Sequence, residues 1–324
     1  MNALVTSPAP GALRVGDWDF GDFPYGLEPL AMPPAGDTEE GMERRPLVLS
    51  CEPEQICFEL RALTGSGPTC ADLGDLPAPS YDQLFWFRWI TGHQVTFALW
   101  RLMGRILEDL PEPRAVPGPD AMAKLEAYTQ GYCAMLLYSG SCPRGLYGSL
   151  IRSAMFLQHR AFSGTWAPDF AQVRGLMRGR PLPWMEDGRA AGLRAALDAH
   201  RAVHDSVAAR LVPNGRSLLQ QSIDESPVRP SERTAVLYDN FFMTLRGPVP
   251  DEAVAVQLLR RLRAVALDLA GNGLYPLGRG DGGEENDEWG GPVAECEREL
   301  SSVLAVVAHH ASGLAHQASP ALGL

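Results

Sequence analysis

The sequence predicts an all-α protein. Beyond residue 47 the apolar residues recur at helical spacing through most of the chain. Alternating Val/Ile/Thr runs joined by Asn-Gly turns are missing, and no glycine fingerprint follows a strand-like run. Stretches rich in Pro and Gly, such as PEPRAVPGPD and SGSCPRG, bound the periodic segments.

Taken in order, residues 1–47 are rich in Pro and Gly and carry the acidic patch GDTEEGMER. They read as an irregular N-terminal arm that wraps the body or is partly disordered. Residues 48–324 read as one all-helical domain, with helices expected at Tyr81–Leu110, Ala121–Tyr138, Leu146–Phe162, Gly188–Val212, Ser231–Leu245, Glu252–Ala270 and Val293–Leu314. GRGDGGEENDEWGG reads as a loop of glycine and acid, and no internal repeat is visible.

Bulk composition excludes several classes of function. The 324 residues are 45% hydrophobic and 21% charged, a globular balance with enough chain for a large core. A formal net charge of -11 argues against nucleic acid and against an anionic membrane surface as partners. No window offers the roughly 20 uninterrupted apolar residues of a spanning helix. The N-terminus lacks a basic start followed by an apolar run, so a secretory leader is not expected. Six cysteines at irregular spacing form no CxxC pair, which reads as reduced thiols in a cytoplasm.

Two segments carry candidate chemistry. In YDQLFWFRWITGHQVTFALWRLMGRILEDL, a 3.6-residue period places Trp86, Trp89/Ile90, His93, Phe97, Trp100 and Gly104 on one face. His93 therefore sits inside an aromatic stripe. It is either a core histidine satisfied by a carbonyl, or an acid/base or ligand in a pocket with planar apolar walls. In GRAAGLRAALDAHRAVHDSVAARLVP, His200 and His204 lie one turn apart on an apolar face. They are packing residues, a source of a haem axial ligand, or a pair holding a divalent metal, although HExxH and a third ligand are lacking. No CxxCH, GxSxG, P-loop or aspartate-rich metal motif is present. His309, His310 and His316 on the last helix read as structural or surface residues.

The two segments together resemble the tryptophan 2,3-dioxygenase superfamily of helical haem proteins. Thr91-Gly92-His93-Gln94, followed by Leu99-Trp100-Arg101, is similar to the distal-histidine helix of that superfamily. His204, with Val207 three and Arg210 six positions later, fits the spacing of its axial histidine, whereas His200 has Ser206 at the sixth position. The Glu before Leu-Trp and the Gly-Thr-Gly-Gly loop of true tryptophan dioxygenases are missing, and Pro213-Asn214-Gly215-Arg216-Ser217 stands at the latter. FWFRWITGHQVTFALWRLM more closely resembles the bacterial haem-dependent L-tyrosine 3-hydroxylases of natural-product pathways. A relative acting on 3-methyltyrosine attaches its haem through His-x-x-x-Cys; here Ala208 takes the cysteine position, implying non-covalent haem b. The resemblance covers about residues 80–270.

The resemblance implies a helical bundle of the tryptophan 2,3-dioxygenase-like type. It implies that His204 is the axial ligand with His200 as the alternative, that His93 is the acid/base, and that Trp89, Phe97 and Trp100 line the haem. Hydrogen peroxide and L-tyrosine would be the substrates and L-DOPA the product, with no reductase partner. An arginine at this point in chain order makes Arg152 the candidate for the substrate carboxylate, and Asn240 lies in an aromatic patch that would face the pocket. The arm and the apolar-rich helices leave surface that a homo-oligomer would cover. Two other readings stay open: a haem oxygenase acting on tryptophan or an indole, and a helical haem-binding protein without catalysis.

Overall fold

The computed structural model describes residues 18–35, 51–65, 78–112, 115–180, 182–212, 217–223, 228–278 and 291–317, and these form an all-α protein. A short strand β1 (Leu30–Met32) precedes helices α1 (Pro53–Leu63), α2 (Tyr81–Glu108) and α3 (Pro119–Ser139). One turn of α4 (Arg144–Leu146) leads through a π-helical turn at Tyr147–Arg152 into α5 (Ser153–Gln158). Then come α6 (Phe170–Met177), α7 (Ala191–Leu211), α8 (Leu218–Ile223), α9 (Glu232–Phe241), β2 (Thr244–Arg246), α10 (Asp251–Asn272) and α11 (Pro292–Gln317).

Local signals explain the starts and stops. Pro53 and Pro119 open α1 and α3 at the first turn, where a missing N–H costs nothing. The Ser80 hydroxyl accepts the Gln83 N–H to cap α2, and Ser231 and Thr234 form a reciprocal capping box on α9. At Gly273, φ of +67° ends α10 in a conformation that glycine adopts without strain.

α2 is the central element: it packs on α3, α6 and α10, and α3 in turn packs on α7 and α11. Its interior Gly92 lets the backbone approach Ser139 of α3, whose Oγ occupies the space a Cβ would need. Three polar side chains of α2 are fully buried or nearly so, and each is tied to α10. Arg88 donates Nε to Asp268 Oδ2 at 2.7 Å, the Arg261 Nε of α10 donates to Gln94 Oε1 at 3.0 Å, and Arg101 donates Nε to Asp251 Oδ1 at 2.7 Å. The remaining donors of Arg88 reach Ser141 Oγ, Leu274 O and Gly273 O, and the Tyr138 hydroxyl donates to Asp268 at 2.7 Å, so this ion pair is fully hydrogen-bonded.

Several sequence expectations need correction. The helix expected over Leu146–Phe162 contains a π turn and stops at Gln158, because extended His159 offers its Nδ1 to the Ala161 N–H in place of the helix ladder. The helix expected to reach Leu245 ends at Phe241. Met243 takes a left-handed φ of 54°, and Thr244–Arg246 pairs in parallel with Leu30–Met32. That pairing spans more than 200 residues of chain, so no local pattern announced it. α1, α6 and α8 were not expected.

Part of the arm is built into the body. Phe20, Tyr25, Leu30 and Met32 are buried, and Gln257 of α10 bonds both the N–H and the C=O of Ala31 at 2.8 Å. The acidic patch at 36–44, most of the glycine-acid loop and residues 213–216 lie outside the described residues.

Replacing Asp268 with Ala leaves the Arg88 guanidinium buried without its counter-charge, a change expected to cost about 3–5 kcal/mol. Urea denaturation of Asp268→Ala should show that loss, and a change under 1 kcal/mol would contradict the role given to this pair.

Candidate active site

Three helices each turn one stripe toward a common cavity. At about 100° per residue, Trp89, His93, Thr96 and Trp100 fall within a narrow arc of α2. α3 presents Tyr132, Met135, Leu136, Ser139 and Gly140, and α7 presents His204, Val207, Ala208 and Leu211. Val212, Tyr147 of the π turn, Gly164 and Tyr238 of α9 complete the lining. The cavity is about 240 Å³ and opens to solvent. Gly140 is a constriction: a Cβ there would sit 2.6 Å from Val207 Cγ1. The Arg210 guanidinium donates to the Gly140 carbonyl at 2.5 Å, joining α7 to the end of α3.

No Asp, Glu, Lys or Arg is among the described lining residues. His93 and the tyrosines of the wall are held neutral. His93 Nδ1 lies 2.6 Å from the Trp89 carbonyl oxygen, and a carbonyl only accepts, so Nδ1 carries the proton. Nε2 is then an acceptor, with no partner among the described residues. Burial lowers the His93 pKa to about 4, against a smaller opposing effect of the Trp89 hydrogen bond. Its ring stacks on Phe242 at 4.5 Å and 16° and packs on Trp89 at 4.3 Å, which fixes its orientation. Burial also raises the phenols of Tyr132, Tyr147 and Tyr238, so all three stay protonated hydrogen-bond donors.

The neighbours of His93 in the Thr-Gly-His-Gln run have structural tasks. Gly92 admits α3. Gln94 donates to the Glu28 and Phe242 carbonyls at 3.0 and 2.9 Å, binding the N-terminal segment and the end of α9 to the helix that carries His93.

Of the residues singled out from sequence, His93, Trp89, Trp100 and His204 meet in the cavity. Phe97 does not line it: it sits about 80° around the helix from Trp89, fully buried against Tyr238 and Phe242, and Thr96 takes the wall position. His204 stands at the open side, its side chain 57% exposed. His200 is buried behind Tyr132, whose ring lies 4.5 Å from His200 and 5.2 Å from Trp100. Neither His200 nitrogen has a hydrogen-bond partner among the described residues, and burial, with smaller effects of His204 and Arg201, lowers its pKa to about 4.

The two imidazole centroids of His200 and His204 are 6.3 Å apart, and no cluster of three His, Cys, Asp or Glu suited to a metal occurs among the described residues. Arg152 is outside the wall and hydrogen-bonds Tyr147, one layer from the cavity. Asn240 faces outward: inward-facing Tyr238 and Phe242 share the opposite side of α9, so a residue midway between them is exposed. His309 is exposed on α11.

Tyr132, Tyr147 and Tyr238 were not anticipated. The 238/242 pair was legible as an i, i+4 aromatic face, which would have assigned Tyr238 inward and Asn240 outward.

Residues 59–184 match the family of SfmD 3-methyl-L-tyrosine peroxygenase. Over that segment the chain is similar to a peroxygenase. The match includes His93, Trp89, Trp100, Tyr132 and Tyr147, and stops before His204 and Ala208. No curated protein matches the chain. No helix among the described residues is long and apolar enough to cross a membrane.

The buried histidines shape acid stability. Both have folded pKa values near 4, below the usual 6.5, so between those values the unfolded chain binds more protons. Stability contributed by the neutral rings is therefore complete above about pH 6.5 and is lost as pH falls toward 4. His200→Leu removes one of these sites and no hydrogen bond. Thermal melts should show a smaller drop in Tm from pH 7 to pH 5 than in the parent protein; an equal or larger drop would refute the neutral, unpaired state of His200.

Proposed function

We propose that this protein is a haem-dependent hydroxylase that uses hydrogen peroxide to oxidise the ring of L-tyrosine ortho to its hydroxyl, giving L-DOPA and water. The observation that carries the reading is His93: a neutral imidazole whose Nδ1–H is committed to Trp89, with Nε2 left in an uncharged aromatic cavity faced by His204. The similarity to SfmD 3-methyl-L-tyrosine peroxygenase supports peroxide as oxidant and a tyrosine-type phenol as substrate.

The residues suit a planar porphyrin. His204 would hold its iron through an imidazole nitrogen, with His200 the alternative one turn earlier. Trp89 and Trp100 offer flat walls, Val207 and Leu211 an apolar edge, and Ala208 has no sulfur for a covalent link, so the group would be haem b. Haem would supply the redox-active iron at which peroxide is activated. With haem bound, His93 Nε2 would accept a proton from peroxide and hold it for return to the leaving oxygen. The Trp89 carbonyl keeps the imidazole in the tautomer that does this, and the Phe242 stack prevents the ring from turning away.

Because no Asp, Glu, Lys or Arg is among the described wall residues, the substrate carboxylate would meet its cation at the edge. Arg152, joined to Tyr147, is the candidate there, while outward-facing Asn240 is not. A role in natural-product assembly and a reducing, cytoplasmic setting belong to the same reading. The described cysteines, at 51, 57, 133, 142 and 296, are all free thiols.

The test is peroxide with L-tyrosine, 3-methyl-L-tyrosine or L-tryptophan, with products read by mass spectrometry. L-DOPA from L-tyrosine is expected, and His93→Ala should lower kcat about 10²–10⁴-fold with haem still bound. A kynurenine-type product without peroxide would replace this reading with an indole dioxygenase. No product from any of the three would leave it without support.

The acid limb of kcat/KM reports the free enzyme's base. Since burial places His93 near 4, activity should persist through pH 6 and fall only toward pH 4. A limb centred near 6.5 would assign the proton transfer to another group.

A further inference from the structure

Cys133 lies where three helices meet. It is buried on α3, its sulfur is 3.8 Å from the Ala196 carbonyl of α7, and its thiol hydrogen-bonds that of Cys296 on α11. Neither cysteine is in a disulfide. The shared hydrogen bond polarises the pair: it raises Cys133, reinforced by burial, and lowers Cys296 although burial and the carboxylates of Glu295 and Glu299 act the other way. Cys296 is half-buried, so a small oxidant can reach it. Among the other described cysteines, Cys51 lies near Cys57, but burial raises Cys51 to about 11, Cys142 to about 12, and Cys57 as well. Cys296 thus combines access with a second thiol in contact, the arrangement in which an oxidised cysteine finds a resolving partner.

We propose that Cys133 and Cys296 form a reversible, peroxide-responsive disulfide joining α3 to α11. The Cys296 thiolate attacks one oxygen of hydrogen peroxide, the O–O bond breaks, and hydroxide leaves and is protonated to water. Cys296 becomes a sulfenic acid. Cys133 then attacks that sulfur, the S–O bond breaks, a second water leaves and the S–S bond forms. Two thiols lose two electrons in total, and one peroxide gains them. The chemistry needs no cofactor. Cys133 neighbours Tyr132, so the link sits one residue from the cavity wall.

The reduced full-length protein is treated with stepwise stoichiometric hydrogen peroxide, quenched with N-ethylmaleimide in denaturant, and digested without reductant. A peptide pair joined through Cys133 and Cys296 is expected, about 2 Da lighter than the separate thiol peptides and released by dithiothreitol. In Cys133→Ser, Cys296 should instead proceed to the sulfinic acid; in Cys296→Ser, Cys133 should stay alkylatable. Two fully alkylatable thiols in the parent protein, or Cys296 sulfinate without any link, would overturn the proposal. Because the readout is on sulfur, a failure here is distinct from a failure to bind haem or to hydroxylate tyrosine.

Discussion

The rotation of α2 about its own axis decides what faces the cavity, and that rotation is set by its polar ladder to α10. Arg88 on Asp268, Gln94 on Arg261 and Arg101 on Asp251 run antiparallel along the two helices. Hydrophobic packing alone would tolerate α2 turned by a residue, since aromatic and aliphatic side chains occur all around it. Three buried polar contacts do not tolerate that turn, because each would be left unpaired. Burying an ion pair adds little net stability, so its contribution lies in register. With α2 fixed, Trp89, His93, Thr96 and Trp100 point into one space.

The second constraint is the absence of Asp, Glu, Lys and Arg from the described cavity wall. A carboxylate beside His93 would favour the imidazolium and remove the acceptor at Nε2. Instead burial favours the neutral ring, and the Trp89 carbonyl selects its tautomer. The phenols of Tyr132, Tyr147 and Tyr238 are kept neutral by the same burial. Cys133, beside Tyr132, couples this wall to α11 through the Cys296 thiol, so oxidant reaching the protein has a sulfur target close to the cavity.

Much of α2, α3, α7, α10 and α11 was legible, because each is long and strongly periodic and opens at Pro, Ser or another clear boundary. The stripe through Trp89, His93 and Trp100 followed from the same period; Phe97 shares that stripe only loosely, lying about 40° of helix rotation beyond His93, enough to turn it from the wall into the packing against Tyr238 and Phe242. His204 was favoured over His200 on motif spacing, and it is His204 that lines the cavity, while Tyr132 screens His200. Asn240 lies two residues from both Tyr238 and Phe242, which places it on the opposite, exposed face of α9. The β1–β2 pairing and the docking of residues 18–35 were invisible, since both depend on partners more than 200 residues away.

On the proposed reading, the space between α2 and α7 would take haem with His204 at the iron. A haemin titration of the purified protein, followed at the Soret band, tests it most directly. The account predicts saturation at one equivalent with a sharpened, shifted band, lost in Ala208→Trp, which fills the cavity, and altered in His204→Ala. An unsaturable titration, or identical spectra for the parent protein and both variants, would contradict it.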